Sequence, residues 1–441
     1  MGFDTTTLLG KISDRSVHVG VIGLGYVGLP LALTFVENAR VRVTGFDVDQ
    51  HKIDAIERGE TYIMHFAAAR LRAALALKLL DATSNFERLR EPDALLIAVP
   101  TPLTPQREPD MTYVEGTARE ISKCLRKGQM VILESTTYPG TTDELLRSVL
   151  ERSGLKCGTD FLLAFSPERE DPGNKHYSTA KIPKIVGGVD AASTEVAAAL
   201  YSVALDKVVT VSSARAAEAT KLTENIFRAV NVALVNELKV IYEKMGIDIW
   251  DVLDAASTKP FGFMRFNPGP GLGGHCIPLD PFYLTWKARE YGISTRFIEL
   301  AGEINVSMPR YVIEKLRDAL NERKMPLNGS KVLIIGLAYK KDIDDPRESP
   351  AFELIELLLE HKAVVAYHDP HIPTAPAMRS WPELPPMKSV CLSSESLLRF
   401  DAVVIATDHT AVDWELVSRQ AALVIDTRGV YRTPAPNIVK A

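Results

Sequence analysis

The chain has few cysteines, and none of them lie close together. Its 441 residues include only Cys124, Cys157, Cys276 and Cys391, with no C-x-x-C pair among them. Four scattered cysteines are too few for the dense disulfide framework of a small secreted domain, and no C-x-x-C pair offers zinc ligands, so neither is expected. Scattered thiols are typical of a reducing compartment. We therefore predict a cytoplasmic protein without a metal.

Long apolar runs and strongly basic segments are also absent. No stretch approaches the roughly 18 apolar residues that would predict a membrane span, and residues 1–17 lack the apolar core of a signal peptide. The formal net charge is −5, without a basic stripe. We therefore predict no membrane and no nucleic acid as partners, although a local site can still bind a small anion.

Two regions alternate short apolar runs with helical patterns, which is typical of parallel sheets covered by helices. In the first region, strands are predicted at residues 18–22, 41–47, 94–99, 130–134, 161–165, 184–189 and 208–211. In the second region, they are predicted at residues 331–336, 364–368, 402–406 and 423–426. The predicted class is α/β, with two related nucleotide-type folds. A proline-rich stretch at 373–386 is predicted to be a surface loop.

A helical segment separates these two regions. Residues 214–245 contain no glycine or proline, and further helical spacing covers 249–256 and 296–321. The apolar positions at helical spacing are Leu222, Ile226, Ala229, Ala233, Leu234, Leu238 and Ile241. We predict domains at 1–212, 213–320 and 321–441. The long helix either forms a dimer interface or is a buried spine within one subunit.

The motif Gly23-x-Gly25-x-x-Gly28 follows the first predicted strand and opens a helix. Gly23 permits the tight turn, Gly25 lets the backbone approach a pyrophosphate, and Gly28 lets helix and strand pack closely. Tyr26 and Val27 complete this loop. The context indicates a Rossmann-type dinucleotide site.

Asp47 ends the next predicted strand, about 20 residues further on, where a carboxylate can hold a ribose 2′-hydroxyl. A carboxylate there repels a 2′-phosphate, which favours NAD over NADP; Asp49 is a rival for the role. Thr101 and Thr136 follow later strands and are candidate cofactor or active-site hydroxyls. Each is also compatible with a helix N-cap.

Residues 271–280, Gly-Leu-Gly-Gly-His-Cys-Ile-Pro-Leu-Asp, place one cysteine among glycines and prolines. Glycines leave room for a substrate and for backbone N–H groups beside the sulfur, so Cys276 is predicted to be a nucleophile. The neighbouring His275 is predicted to be a hydrogen-bonding group rather than the general base. Lys221 and Asn225, at i and i+4, share a helix face.

These segments resemble the UDP-glucose/GDP-mannose dehydrogenase family over essentially the whole chain. The matching motifs are residues 23–30, 135–141, Ser166-Pro-Glu168, 221–225, 271–280 and 337–349. The family oxidises the 6-hydroxyl of a nucleotide sugar to a carboxylate with two NAD. The resemblance implies that Cys276 captures the C6 aldehyde as a thiohemiacetal, which gives a thioester that water hydrolyses. Thiol addition restores the tetrahedral carbon from which a second hydride can leave.

The resemblance also implies roles for other residues. Lys221 and Asn225 would stabilise the C6 oxyanion, while Asp280, Glu168 and Thr136 would move protons or orient water. Arg347 would reach the NAD. The residues implied to bind the UDP-sugar are Glu168, Lys221, Asn225, Gly273, Lys340, Arg428 and, from a partner subunit, Arg265. Residues 331–336 are not a second NAD site, because G-x-G-x-x-G is absent there.

Residues 268–281 and 166–173 depart from the glucose-type pattern and look like the N-acetylhexosamine branch of the family. Residues 285–290 and 299–305 resemble the N-acetylglucosamine members in particular, which implies UDP-N-acetylglucosamine as substrate. The resemblance to the family also leads us to expect a role in polysaccharide biosynthesis, such as that of O-antigen. UDP-glucose, UDP-N-acetylgalactosamine and UDP-N-acetylmannosamine stay open. A two-electron hydroxyacid-type dehydrogenase and a non-catalytic NAD sensor or scaffold are the alternatives from other classes. A homodimer or higher homo-oligomer is expected.

Overall fold

The computed structural model describes residues 4–63, 68–104, 106–169, 181–274 and 279–441. It divides into two compact units. The first unit comprises Met1–Glu224 and Phe282–Ile293, and the second comprises Asn225–Pro281 and Ser294–Ala441. The predicted boundaries of three domains stay a prediction.

The first unit contains an eight-stranded sheet with the order β3-β2-β1-β4-β5-β6-β7-β8. Its strands are β1 His18–Ile22, β2 Arg42–Phe46, β3 Leu80–Thr83, β4 Ala94–Ile97, β5 Met130–Leu133, β6 Leu162–Phe165, β7 Lys184–Gly188 and β8 Val208–Thr210. All neighbours are parallel except β6 and β7, which pair antiparallel at Ala164 and Gly188. The predicted parallel sheet is confirmed apart from this pair, whose direction could not be predicted because apolar runs do not encode strand direction.

Helices cover this sheet. They are α1 Thr6–Ser13, α2 Gly28–Thr34, α3 Gln50–Glu57, α4 Ala68–Ala76, α5 Thr112–Cys124, α6 Arg147–Leu150 and α7 Ala191–Ser202. A π-helical turn, Phe35–Ala39, extends α2, another at Thr141–Leu146 precedes α6, and 3₁₀ turns occur at Phe86–Arg90 and Glu151–Ser153. Every residue of β1 and α2 is buried. Apolar side chains from both elements join one core cluster, and each such side chain contributes about 1.5–3 kcal/mol.

Three helices follow along the chain: α8 Ala214–Lys244, α9 Ile249–Ala256 and α10 Asp280–Glu290. Helix α8 ends one residue before the predicted boundary, and α9 has the predicted bounds. Leu222, Ala229 and Ala233 of the predicted apolar set are buried, whereas Leu234 and Ile241 are nearly half exposed. The helical spacing is therefore confirmed, but it covers both a core face and an exposed face.

The second unit contains a five-stranded parallel sheet with the order β10-β9-β11-β12-β13. Its strands are β9 Lys331–Ile335, β10 Val364–His368, β11 Ala402–Ile405, β12 Val424–Asp426 and β13 Ile438–Lys440. Its further helices are α11 Arg296–Glu322, α12 Pro350–Glu360, α13 Ser394–Leu397 and α14 Trp414–Gln420.

The two sheets share a local design. β1 lies between β2 and β4, and β9 lies between β10 and β11. Each of these inner strands is followed by a glycine with positive φ, Gly23 at 91° and Gly336 at 90°. The predicted α/β class, with two nucleotide-type folds and a long-helix segment between them in the sequence, is confirmed.

The stretch 373–386 is not a simple surface loop. Trp381 stacks on Phe352 of α12, with ring centroids 5.4 Å apart, and is partly buried against the second core. An isolated bridge also joins Thr374 to Lys388. Proline content predicted the irregular backbone but not this packing.

Among the described residues, no helix combines the length and the apolar character that crossing a bilayer requires.

Candidate active site

The glycine loop after β1 has the geometry of a dinucleotide site. The Gly23 N–H donates to the Phe46 carbonyl at 2.7 Å, and a Cβ on Gly28 would lie 1.9 Å from the Gly23 oxygen. A Cβ on Gly25, in contrast, would meet nothing within 4 Å. Two glycines are therefore required by packing, and the third leaves open space for a pyrophosphate, which fits a bound dinucleotide.

Asp47 braces this loop. Its buried carboxylate accepts the N–H groups of Leu24 at 2.8 Å and Asp49 at 2.9 Å, and it forms an ion pair with Lys52 at 3.0 Å. The Asp49 carboxylate instead caps α3 by accepting the His51 N–H at 3.0 Å. The geometry therefore favours Asp47 over Asp49 as the ribose ligand. Lys52, which sequence reasoning missed, places a cation beside the Asp47 carboxylate.

The predicted hydroxyls lie after β4 and β5. Thr101 is buried, and its backbone carbonyl accepts a hydrogen bond from Tyr283 Oη at 2.6 Å. Thr136 is half-buried in the loop after β5. The hydroxyl of the preceding Ser135 donates to the Val99 carbonyl at 2.7 Å, which joins the two strand ends. In an open α/β sheet, ligands bind beyond such strand ends.

Glu218 of α8 holds the turn that follows this loop. Its buried carboxylate accepts the N–H groups of Gly140 at 2.7 Å and Thr142 at 2.8 Å. Burial raises the pKa of Glu218 to about 7, against the opposing effect of these hydrogen bonds. Sequence reasoning missed Glu218, because a glutamate in a helical pattern usually faces solvent.

Lys221 and Glu168 meet in the first unit. Lys221 is 6% exposed, and its Nζ donates to the Glu168 carbonyl oxygen at 2.5 Å. The Glu168 carboxylate accepts the Arg169 N–H at 2.7 Å and lies 3.6 Å from Lys184 Nζ. The Lys221 side chain therefore contacts the main chain of Glu168, while the Glu168 carboxylate lies near a second lysine that the sequence did not single out.

Asn225 and Asp280 meet in the second unit. Both side chains are buried, and the Asn225 amide donates to the Asp280 carboxylate. Arg228, one turn further along α8, donates to the Asn225 amide oxygen. The guanidinium thereby fixes the amide orientation in which the NH₂ group faces Asp280.

The loop that leads to Cys276 is held at both ends. The Gly269 N–H donates to Asn236 Oδ1 at 3.0 Å, and Asn236 in turn donates to Asn305 at 3.0 Å. The Gly274 N–H donates to the Arg347 carbonyl at 3.1 Å. Cys276 and His275 themselves lie outside the described residues.

The remaining predicted substrate residues lie in the second unit. Gly273 packs so closely that a Cβ there would lie 2.6 Å from the Tyr339 Cβ. Lys340 is half-buried in the segment after β9. Arg428 follows β12, and its Nε donates to the Ala406 carbonyl at 2.7 Å. Arg265 is half-buried and forms an ion pair with Asp254 at 2.5 Å.

Arg347, the residue implied to reach NAD, also lies in the second unit. Its guanidinium forms a bidentate pair with Asp345, in which Nη2 lies 2.5 Å from Oδ2. The pairing gives the guanidinium a defined orientation, and its role toward NAD stays a prediction.

One cluster of potential metal ligands lies in the described part of the chain. Donor atoms of Asp342, His371 and His409 lie within 4.8 Å of one another. However, His409 Nδ1 accepts the Asp342 N–H at 3.0 Å, and His409 Nε2 lies 3.1 Å from Asp369. Because both ring nitrogens of His409 already have protein partners, we interpret the cluster as support for the loops after β9 and β10.

Comparison with known proteins gives a consistent result along the chain. Models of the UDP-glucose/GDP-mannose dehydrogenase family match with their NAD binding domain at residues 17–205, their central domain at 215–307 and their UDP binding domain at 333–433. A UDP-N-acetyl-D-glucosamine 6-dehydrogenase from Pseudomonas aeruginosa is 36% identical over 402 residues, covering 90% of this chain and 91% of that protein.

Two further relatives are named for dehydrogenases of other sugars. An NDP-N-acetyl-D-galactosaminuronic acid dehydrogenase from Ralstonia nicotianae is 36% identical over 437 residues, covering 95% of this chain and 98% of that protein. The solved structure of a UDP-D-ManNAc dehydrogenase from Pyrococcus horikoshii has a TM-score of 0.85 at 31% identity, covering 96% of this chain and 98% of that one.

Proposed function

Because this chain belongs to the UDP-glucose/GDP-mannose dehydrogenase family and is an NAD-dependent UDP-sugar dehydrogenase, we propose that it oxidises the C6 hydroxyl of UDP-N-acetylglucosamine to the uronic acid. The reaction removes four electrons per sugar. NAD, when bound, supplies the hydride acceptor for both oxidations.

The glycine loop and its neighbours bind NAD in this proposal. Gly25 leaves room for the pyrophosphate, and Asp47 holds the ribose. The other residues assigned to NAD are Gly23, Tyr26, Val27, Gly28, Thr101, Thr136 and Arg347.

Cys276 is the proposed nucleophile. Its thiolate adds to the C6 aldehyde, and the resulting tetrahedral carbon is oxidised to a thioester that water cleaves to the acid and free thiol. Lys221 and Asn225 stabilise the negative charge on the C6 oxygen. Asp280, Glu168 and Thr136 transfer protons or orient the water.

The observation that carries this assignment is the buried contact between Asn225 and Asp280. A carboxylate held by an amide, four residues after a cysteine in a glycine-rich segment, is suited to proton transfer beside a thioester. The partly exposed Arg228 guanidinium fixes the amide from its other side.

UDP-N-acetylglucosamine is proposed because the 166–173 and 268–281 segments look like the N-acetylhexosamine branch. The similarity to the Pseudomonas aeruginosa enzyme supports this choice. The Ralstonia and Pyrococcus relatives make UDP-N-acetylgalactosamine and UDP-N-acetylmannosamine the second candidates. In the proposal Gly273, Lys340 and Arg428 contact the UDP-sugar, and Arg265 reaches it from a partner subunit.

A homodimer through α8 is part of the proposal. Phe227, Leu234 and Ile241 recur every seven residues on α8, and each is 46–49% exposed. Such a stripe covers one face of a helix and is typical of a helix–helix interface. The charge-introducing variant Leu234→Glu is expected to give a monomer in light scattering. A wild-type protein that elutes as a monomer at micromolar concentration would contradict the dimer.

The substrate test is mass analysis of products from four UDP-sugars incubated with NAD, with NADH counted in parallel. We expect two NADH per UDP-N-acetylglucosamine consumed and a uronic acid product. Cys276→Ser should abolish acid formation while the affinity for NAD is retained. Cys391→Ser, which changes an exposed free thiol, is the matched control. The formation of one NADH per sugar, together with an aldehyde product, would contradict the covalent mechanism.

A further inference from the structure

Lys184, the first residue of β7, lies between two carboxylates. Its buried Nζ is 2.5 Å from Glu134 Oε2 and 3.6 Å from Glu168 Oε2. Glu134 immediately follows β5, and Glu168 lies shortly after β6. One ammonium therefore connects three neighbouring strands at the level of the Ser166-Pro-Glu168 segment.

Glu134 has a second partner of its own. The hydroxyl of Tyr201, from α7, donates to Glu134 Oε1, and both side chains are fully buried. Burial raises the pKa of Glu134, and the charge of Lys184 opposes that shift. Lys184 and Tyr201 together give both Glu134 carboxylate oxygens a partner. The contact between Lys184 and Glu168 is therefore additional to what burying Glu134 requires.

The backbone around Glu168 is fixed independently of Lys184. Arg169 Nη2 binds Glu224 at 2.6 Å, and its Nη1 donates to the Pro183 carbonyl at 2.6 Å. Lys221 binds the Glu168 carbonyl. Because the main chain is already held, the charge of Lys184 acts chiefly on the orientation of the Glu168 carboxylate.

We propose that Lys184 is a positioning residue, which holds the Glu168 carboxylate in the orientation from which it can accept a proton from the substrate or from water. This inference rests on the proposed role of Glu168 in proton transfer. An ion pair shielded from water acts strongly on its partner, because the low local dielectric weakens screening. Glu134 orients the lysine through their ion pair, and Tyr201 in turn holds Glu134 by a hydrogen bond.

The test separates positioning from simple charge compensation. Lys184→Met leaves Glu134 buried without its cation, so a lower Tm is expected. The double variant Lys184→Met/Glu134→Gln removes both charges and should restore most of the Tm. If Lys184 served only Glu134, the double variant would also regain wild-type kcat.

We expect instead that the double variant keeps a kcat reduced about 10–100-fold, with KM for both substrates nearly unchanged. Lys184→Arg, which keeps a cation at this position, should retain most of the wild-type kcat. Lys207→Met, at an exposed lysine, is the matched control.

A measurement without turnover distinguishes this inference from the proposed function. The Glu168 carboxylate carbon can be observed by ¹³C NMR in glutamate-labelled protein, with Glu168→Gln used to assign its signal. Its chemical shift should change in the double variant and be retained in Lys184→Arg. An unchanged chemical shift together with a wild-type kcat in the double variant would overturn the role of Lys184, whereas the product analysis alone decides the identity of the reaction.

Discussion

Asp47 accepts the backbone N–H of Leu24 at 2.8 Å, which ties the end of β2 to the glycine loop after β1. The second sheet repeats the contact, since Asp369 after β10 accepts the N–H of Leu337 at 2.6 Å. In both sheets an aspartate thus shapes the turn that follows the neighbouring strand. Asp47 therefore has a structural function in addition to its proposed contact with the ribose.

Asp47→Ala should weaken NAD binding by about 10–100-fold, since both a ribose hydrogen bond and the support of the loop are lost. UDP-sugar affinity should stay at the wild-type value. Isothermal titration calorimetry with NAD and with the UDP-sugar measures the two affinities. Asp49→Ala, which removes only the cap of α3, is the control and should change NAD affinity much less. Equal effects of the two variants would refute the ribose assignment.

The glycine loop offers a pair of variants with opposite outcomes. Gly25→Ala adds a methyl group into open space, so the Tm should be retained while NAD affinity falls at least about tenfold. In Gly28→Ala the methyl group would collide with the Gly23 oxygen, and the Tm should fall. Differential scanning fluorimetry and NAD titration test the pair. Retained NAD affinity in Gly25→Ala would argue against pyrophosphate binding there.

Asn225→Asp would place a second carboxylate against Asp280. At pH 7 we expect the kcat of Asn225→Asp to be about 10²–10³-fold lower than that of the wild type, because two adjacent carboxylates resist ionisation together. It should also be lower than the kcat of Asn225→Ser, which adds no charge. As pH falls towards about 5, one shared proton should relieve the repulsion, and part of the loss should be recovered. Rate profiles from pH 5 to 8 measure this. Asn231→Asp on the same helix is the control, and a pH-independent defect would contradict the interpretation.

Lys239 of α8 is a buried cation whose Nζ has no hydrogen-bond partner in the described part of the chain. Burial lowers the pKa of Lys239 from 10.5 to about 7, against the opposing charge of Asp426. Between those two values the unfolded chain binds the proton that the folded chain has lost. The free energy of unfolding therefore rises with pH between about 7 and about 10.5 as the folded chain releases this proton. Below pH 7 the burial of the charged ammonium destabilises the fold to its full extent.

Lys239→Met should consequently raise the Tm at pH 7, corresponding to about 1–3 kcal/mol in the free energy of unfolding. The difference in Tm between Lys239→Met and the wild type should become smaller as the pH approaches 10. Thermal melts at several pH values measure it, and Lys244→Met, at an exposed lysine in the last turn of α8, is the control. A destabilised Lys239→Met protein would show that the ammonium has a partner when the protein is in solution.

Much of the fold could be predicted from sequence because its strands are continuous apolar runs. β1, β10 and α9 have the predicted bounds, and family membership and NAD as cofactor are confirmed. β3 and β13 were missed. They are short edge strands with partly exposed residues, and neither has the apolar run of a buried strand.

The NAD-binding domain was predictable because the glycine loop carries its own chemistry, whereas the roles assigned within the 271–280 segment stay predictions. The pairing of Lys221 with Glu168 and of Asn225 with Asp280 depends on tertiary contacts between distant segments. Lys184, Glu218 and Lys239 were missed for one physical reason. A charged residue in a helix or strand pattern is normally solvated, and only the folded structure reveals that it is buried.

The links from Asn305 through Asn236 to Gly269 consist of neutral amides alone. Uncharged groups neither gain nor lose protons across the physiological range. The anchoring of Gly269 is thus independent of pH between about 5 and 8, and shifts of catalytic rate with pH in that range would report on titrating side chains rather than on loss of this anchor.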